Sequence, residues 1–252
     1  MDAHVTRARG TPAPVSRAET HAADRLTRSL LAAGVVGPAL FVVVLLIEGA
    51  TRPGYSAWRH FGSQLSLSDQ GWEQIVNFLV CGALCIGFAV GLRRAFGGGK
   101  GAAAGPVALA LFGAALIAAG IFSTDPALGY PPGTTSPTGS PALHGTLHAM
   151  LHGLAGLVSF VSLTVACFVL ARRFAGDARW RGWAVYSILS GVVVVLFFIA
   201  SNVTSVLDMR GVWPNAPTGL LQRIAVVAGW GWIALLAARL LRDSRSGADT
   251  RP

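Results

Sequence analysis

Residues 29–50 read SLLAAGVVGPALFVVVLLIEGA. One residue in that run, Glu48, carries a charge, and it stands near the end. A bilayer hydrocarbon core of about 30 Å takes about 20 apolar residues of helix. This run therefore predicts a membrane span. Working outward, five further windows pass the same test: 73–92, 104–123, 146–171, 181–206 and 219–241. Each mixes Gly and Ala with Leu and Val, as close-packed membrane helices do. The prediction is all-α: a polytopic transmembrane helical bundle with six spans.

Composition agrees. Of 252 residues, 53% are hydrophobic and only 12% charged, about half the charged share of a soluble domain. Mean hydropathy is +0.57. The first run follows a 28-residue segment without an apolar run and exceeds the about 7–15 residues of a signal-peptide core. It reads as an uncleaved first span. The expected division is a disordered cytoplasmic tail over 1–28, a transmembrane domain over 29–241 and a cytoplasmic tail over 242–252.

The net charge of +9 raises nucleic acid as a partner, and its distribution argues against it. Sixteen of the 20 Lys and Arg residues fall in the N-terminal tail, the second loop (Arg93, Arg94, Lys100), the fourth loop (Arg172, Arg173, Arg179, Arg181) and the C-terminus. Arg52, Arg59, Arg210 and Arg223 make up the rest. This is the positive-inside pattern. It places both termini in the cytoplasm and makes membrane lipids the expected partners. Arginine in great excess over lysine, with abundant Ala and Gly, suggests a GC-rich bacterial genome and hence a multi-pass protein of the bacterial plasma (inner) membrane.

The third loop, TDPALGYPPGTTSPTGSPALHG over 124–145, contains no Lys or Arg. Its prolines and glycines predict a folded-back cover rather than a helix. GGGKG at 97–101 lacks the Ser or Thr after lysine and the preceding strand of a phosphate loop, and reads as a connector. Cys81, Cys85 and Cys167 lie inside spans and read as small packing residues.

Polar residues collect at the span ends that face outward on this topology. Glu48, Asn77, Asp125, His144, His148, His152, Asn202 and Arg223 form the candidate polar pocket. Ionisable groups at membrane depth are costly and usually face the bundle interior or a wet cavity. His144, His148 and His152 recur every four residues, drifting about 40° per step on one helical face. Two neighbouring imidazoles can share a divalent metal such as zinc. The candidate ligand set is His148, His152 and Asp125. His144 and His152 are too far apart along the axis to share an ion, and HAMLH lacks the glutamate of HExxH. The reading that leads is that the histidines hydrogen-bond across helices and hold the third loop down, and a third is a proton-linked or substrate-contact role, since histidine titrates near neutral pH. Arg223, one turn into the last span, predicts an acidic partner or a lipid phosphate.

The stretches SQLSLSDQGWEQIVNFLVCGALCIGFAVGLRR, GIFSTDPALGYPPG and LHGTLHAMLHG resemble the uncharacterised bacterial membrane family catalogued as domain of unknown function 998. The resemblance covers about residues 29–241. Its recurring elements correspond here to Ser63–Ser68, Asn77-Phe78, Phe122 to Asp125, and His144-Gly145. The family implies no activity, and it points to the same span ends.

Two function classes follow. One is a non-enzymatic membrane protein whose outward-facing pocket binds or transports a lipid or small solute. The other is a membrane-embedded metal-dependent hydrolase using the histidine stripe of the fourth span. No motif fixes the ligand geometry of the second, so the first leads.

Overall fold

A computed structural model describes residues 17–134 and 145–249, with side chains for 21–134 and 145–244. Among the described residues are six α-helices: α1 (Arg17–Thr51), α2 (Gly71–Phe96), α3 (Ala104–Ile121), α4 (Leu147–Phe174), α5 (Arg181–Met209) and α6 (Thr218–Asp249). All six are long and apolar enough to cross a membrane. The chain is a multi-pass integral membrane protein with an all-α bundle.

The spans fall where the apolar runs lie, with a difference at each end: α6 continues to Asp249, into the segment expected as a C-terminal tail. α1 begins at Arg17, well inside the segment expected to be a disordered tail. Its first turns, RAETHAADRL, are rich in good helix formers, so the helix runs on beyond its apolar part.

Each helix packs on its neighbours in the chain, and α6 returns to pack on α1. The result is a ring closed in chain order, as short connections between antiparallel helices favour. Backbones come together closely where glycines meet. A Cβ on Gly82 would lie 2.6 Å from the carbonyl of Gly113, and one on Gly113 equally close to that of Gly82. The α2–α3 contact therefore depends on both being glycine. Leu31, Phe88, Leu163, Trp232 and Leu236 fill the interior, while Val43, Ile47, Leu111, Leu196 and Leu235 are exposed on the outside. An apolar exterior of this extent fits contact with lipid, not water.

The two ends of the ring differ. At one end the tails and even-numbered loops meet: Arg28 donates to the carbonyl of Ser244 (3.0 Å), Arg94 to the hydroxyl of Thr27 (2.9 Å), and Arg173 to the carbonyls of Gly98 and Lys100 (both 3.0 Å). We call this the basic end. The other end carries the three longer loops, and it positions the candidate site.

Candidate functional site

The first loop does not lie over the ring mouth but folds into it. Residues Gly62–Ser66 form a single 3-10 turn, with Gly62, Gln64, Leu65 and Ser66 buried. Three partners hold this plug. From α6, Gln222 accepts the backbone N–H of Gly62 (2.7 Å), and the backbone N–H of Leu220 donates to Trp58 (3.1 Å). From the third loop, the carbonyl of Ala127 accepts from the Gln64 amide (2.6 Å) and that of Leu128 from His60 (3.1 Å). Leu128 adopts a left-handed backbone (φ 58°) at this contact, a conformation uncommon for a branched side chain.

Arg223 is the third and most connected partner. It is 9% exposed, and it donates to the carbonyls of Ala57 (2.9 Å), His60 (3.2 Å) and Gly219 (3.0 Å) and to the Tyr55 hydroxyl (2.6 Å). The expected acidic partner is not there. A guanidinium offers five donors in a rigid fork, and the turning backbone of the first loop presents carbonyls to match. Asp208 is engaged elsewhere: Arg59 binds both its oxygens at 2.7 Å. Glu48 and Glu73 belong to Arg52, at 3.7 and 3.2 Å. Both oxygens of Glu48 are buried without a hydrogen bond.

His60 has its tautomer set by its neighbours. The Ser56 backbone N–H donates to Nδ1 (2.9 Å), so Nε2 carries the proton and donates to Leu128. The ring is 4% exposed and packs near Tyr55 and Tyr130. Burial lowers the His60 pKa below its ordinary value. The Leu128 hydrogen bond and Asp208 oppose that shift, and Arg59 and Arg223 reinforce it. Burial likewise raises the Tyr55 hydroxyl, opposed by Arg223.

Beneath the plug is a cavity of about 80 Å³, room for several waters. The walls are mostly apolar and aromatic: Phe41, Phe78, Phe112, Phe160 and Trp230. Phe41 stacks on Trp230 at 4.5 Å. Gly62 and Ser63 of the plug, with Gln74, His152, Ser159 and Gln222, supply polar lining. The Nε2 of Gln74 and the Oγ of Ser159 are buried with no hydrogen-bond partner. A buried polar atom left unpaired costs about 1–3 kcal/mol.

The expected pocket residues separate. His152 lines the cavity, and its Nδ1 lies 3.0 Å from the carbonyl of Ala119 and 2.7 Å from that of Phe122. Both are at the end of α3, where helix carbonyls lack partners. Nδ1 therefore carries the proton and Nε2 is left as an acceptor. Asn77 is buried and bridges helices, donating to Phe41 and Gln74 and accepting from Cys81. Asp125 ties α3 to α4: its two oxygens accept the backbone N–H and hydroxyl of Thr146, both at 2.8 Å. Thr146 in turn caps α4. His148 is exposed and meets the edge of Phe122. Asn202 is exposed and donates to the carbonyl of Phe198 in its own helix. His144 lies outside the described residues.

Among the described residues, no three His, Cys, Asp or Glu side chains gather in a group able to hold a metal ion. The proposed set of Asp125, His148 and His152 is thus not brought together, and both Asp125 oxygens already serve Thr146. Gln74, Gln222 and Ser159 matter more than the sequence pattern suggested. Their signal was available, as polar residues within apolar runs. Nothing in the spacing distinguished them from polar residues bound to backbone.

A model of the family described as "Protein of unknown function (DUF998)" matches residues 35–239. No curated protein and no solved structure matches the chain.

Proposed function

The chain belongs to the family described as "Protein of unknown function (DUF998)", and on that premise we propose that it is a non-enzymatic membrane protein binding a small, uncharged, mostly apolar molecule in the cavity beneath its plug. The observation that carries this reading is an aromatic cavity whose lining includes Gln74 and Ser159, each with a buried side-chain atom that no neighbour bonds. The amide offers a donor, the hydroxyl a donor and acceptor, and His152 Nε2 an acceptor. Among the described residues, no Asp, Glu, Lys or Arg lines the cavity, so a charged ligand would lose its hydration without compensation. A carbonyl- or hydroxyl-bearing lipid or solute suits these groups. Aromatic walls with a few placed polar groups are the ordinary make-up of a small-molecule site.

The segregated Lys and Arg residues support an orientation with both termini in the cytoplasm of a bacterial cell, its plasma membrane being the site of residence. The plug then faces outward, and the cavity opens or closes toward that side.

Gly156 provides the test. It lines the cavity, and a Cβ there meets nothing within 4 Å. Gly156→Leu should fill the void without disturbing the ring. Native mass spectrometry of the purified wild-type chain should detect a co-purifying neutral adduct that organic extraction releases. The adduct should fall at least tenfold in Gly156→Leu and in Ser159→Ala paired with Gln74→Leu. A wild-type chain free of adduct, or an adduct unaffected by these changes, refutes the proposal.

A further inference from the structure

Exposure along the wall of the cavity is one-sided. Its wall residues on α1, α2 and α3 are all buried. Those that stay partly exposed are Ser63 of the plug, His152, Gly156 and Phe160 of α4, and Gln222 of α6. Among the described residues α5, which stands between α4 and α6 in the ring, gives the wall none. We infer that the plug-end halves of α4 and α5 frame a lateral portal, through which the cavity exchanges a neutral, membrane-dissolved molecule with the bilayer while the plug stays seated. This rests on the reading of the cavity as a binding site.

The two helices part toward the plug end. Nearer the basic end they touch: Gly191 of α5 is buried, and a Cβ there would lie 3.1 Å from Cys167 and 3.2 Å from Phe168 of α4. Further along, Phe160 stacks on Phe198 at 4.3 Å. One turn beyond that pair, both facing sides are open. Asn202 follows Phe198 by four residues, on the same side of α5, and is exposed. Gly156 precedes Phe160 by four on α4, and a Cβ there meets nothing within 4 Å among the described residues. The aromatic pair is thus the sill of the opening, with Gly156 and Asn202 at its sides.

Each helix is tied to its other neighbour at this level. His152 binds α4 to the carbonyls of Ala119 and Phe122 at the end of α3. Thr218 of α6 donates to the Thr204 hydroxyl of α5 at 3.1 Å. The slot falls between these two tied pairs. Its approach is apolar: Leu157 of α4 is 48% exposed and Ile199 of α5 54%, and a mostly apolar molecule concentrates in lipid rather than water. Asn202 interrupts that apolar surface. An amide facing lipid is costly unless it meets a polar partner, and the hydroxyl or carbonyl of a passing molecule supplies one.

The test places a thiol in the cavity. Ser159→Cys changes one buried wall atom, and the three native cysteines are buried. In proteoliposomes, membrane-permeant N-ethylmaleimide should modify the introduced thiol, and a charged, impermeant maleimide should not; peptide mass spectrometry reads both. Asn202→Trp added to Ser159→Cys should slow modification at least tenfold. Phe198→Ala, which removes half the sill, should speed it at least threefold, and keeps the portal testable if Asn202→Trp fails to fold. Val203→Trp, next in sequence but turned to lipid at 51% exposed, should leave the rate unchanged, as should Arg223→Gln, a plug contact. Modification indifferent to both Asn202→Trp and Phe198→Ala overturns the portal. So does modification that proceeds only with Arg223→Gln, or a thiol that no background modifies. Failure of the binding reading shows separately, as a wild-type chain without a co-purifying adduct.

Discussion

Replacing Arg223 with glutamine should release the plug while leaving the ring intact. Three of its hydrogen bonds cross from α6 to the first loop, to Ala57, His60 and Tyr55; the fourth, to Gly219, stays within its own helix. A bond from a charged donor contributes about 1.5–3 kcal/mol. The loss is not the sum of three. Tyr55 also donates toward the carbonyls of His60 and Phe61, so His60 keeps a partner, and the shorter glutamine amide can recover one contact. The main loss is the Ala57 carbonyl left without its donor, together with the bond to Tyr55. A net cost of about 3 kcal/mol corresponds to a roughly hundredfold rise in the population with the plug open. Hydrogen exchange of the backbone amides at Phe61, Gly62, Gln64 and Leu67, all internally bonded, reads that population directly. Amides of α3 should keep wild-type protection. Arg223→Lys should fall between the two, because one ammonium lacks the planar fork. Protection within threefold of wild type in Arg223→Gln would refute the assignment of this arginine as the plug's main fastening.

Other expectations concern the same end of the ring. Gly219→Ala should open the plug as well, since its Cβ would meet the carbonyls of Ala57 and His60; exchange at the same amides is the check. Asp208→Asn should lower the thermal unfolding midpoint through a loss of about 1–2 kcal/mol, reduced from a fully buried pair because Arg59 is 32% exposed; an unchanged midpoint counts against the pair. His60 should make the plug acid-sensitive. Its folded pKa lies below the ordinary value of about 6.5, so the neutral form stabilises the docked loop fully above about pH 6.5, and that contribution is lost as pH falls toward the folded pKa. Plug exchange corrected for intrinsic rates should rise between pH 6.5 and 5 in the wild type and stay flat in His60→Gln. Finally, the native cysteines are all buried, so a membrane-impermeant thiol reagent should label intact cells only through an added cysteine. Thr134→Cys should react and Gly98→Cys should not; the reverse pattern inverts the proposed orientation.

The spans were legible because each is a long apolar run with one physical explanation, and the ring follows from short connections. The site was legible only in part. Counting polar residues at span ends found Asn77, His152 and Arg223, all of which are buried or line the cavity. It did not reveal what they bind. Arg223 lacks a carboxylate partner because the first loop folds inward and offers carbonyls, and no pattern in residues 52–70 announces an inward fold. The histidine stripe divides for a geometric reason. A step of four residues turns the helix about 40° past a full turn, enough to leave His148 exposed while His152 reaches the end of α3. Asp125 beside Thr146 reads equally well as ligand or capping tie, and only the distances decide.

The closing contact of the ring also joins parts of the chain that are far apart in sequence. Chains fold from the N-terminus as they are made, and Arg223 follows Ala57 by 166 positions and His60 by 163. The carbonyls of the first loop take their donor from a helix that is made much later. Without α6, nothing would bridge α5 and α1 in the ring. The same helix thus both closes the ring against α1 and holds the plug through Arg223.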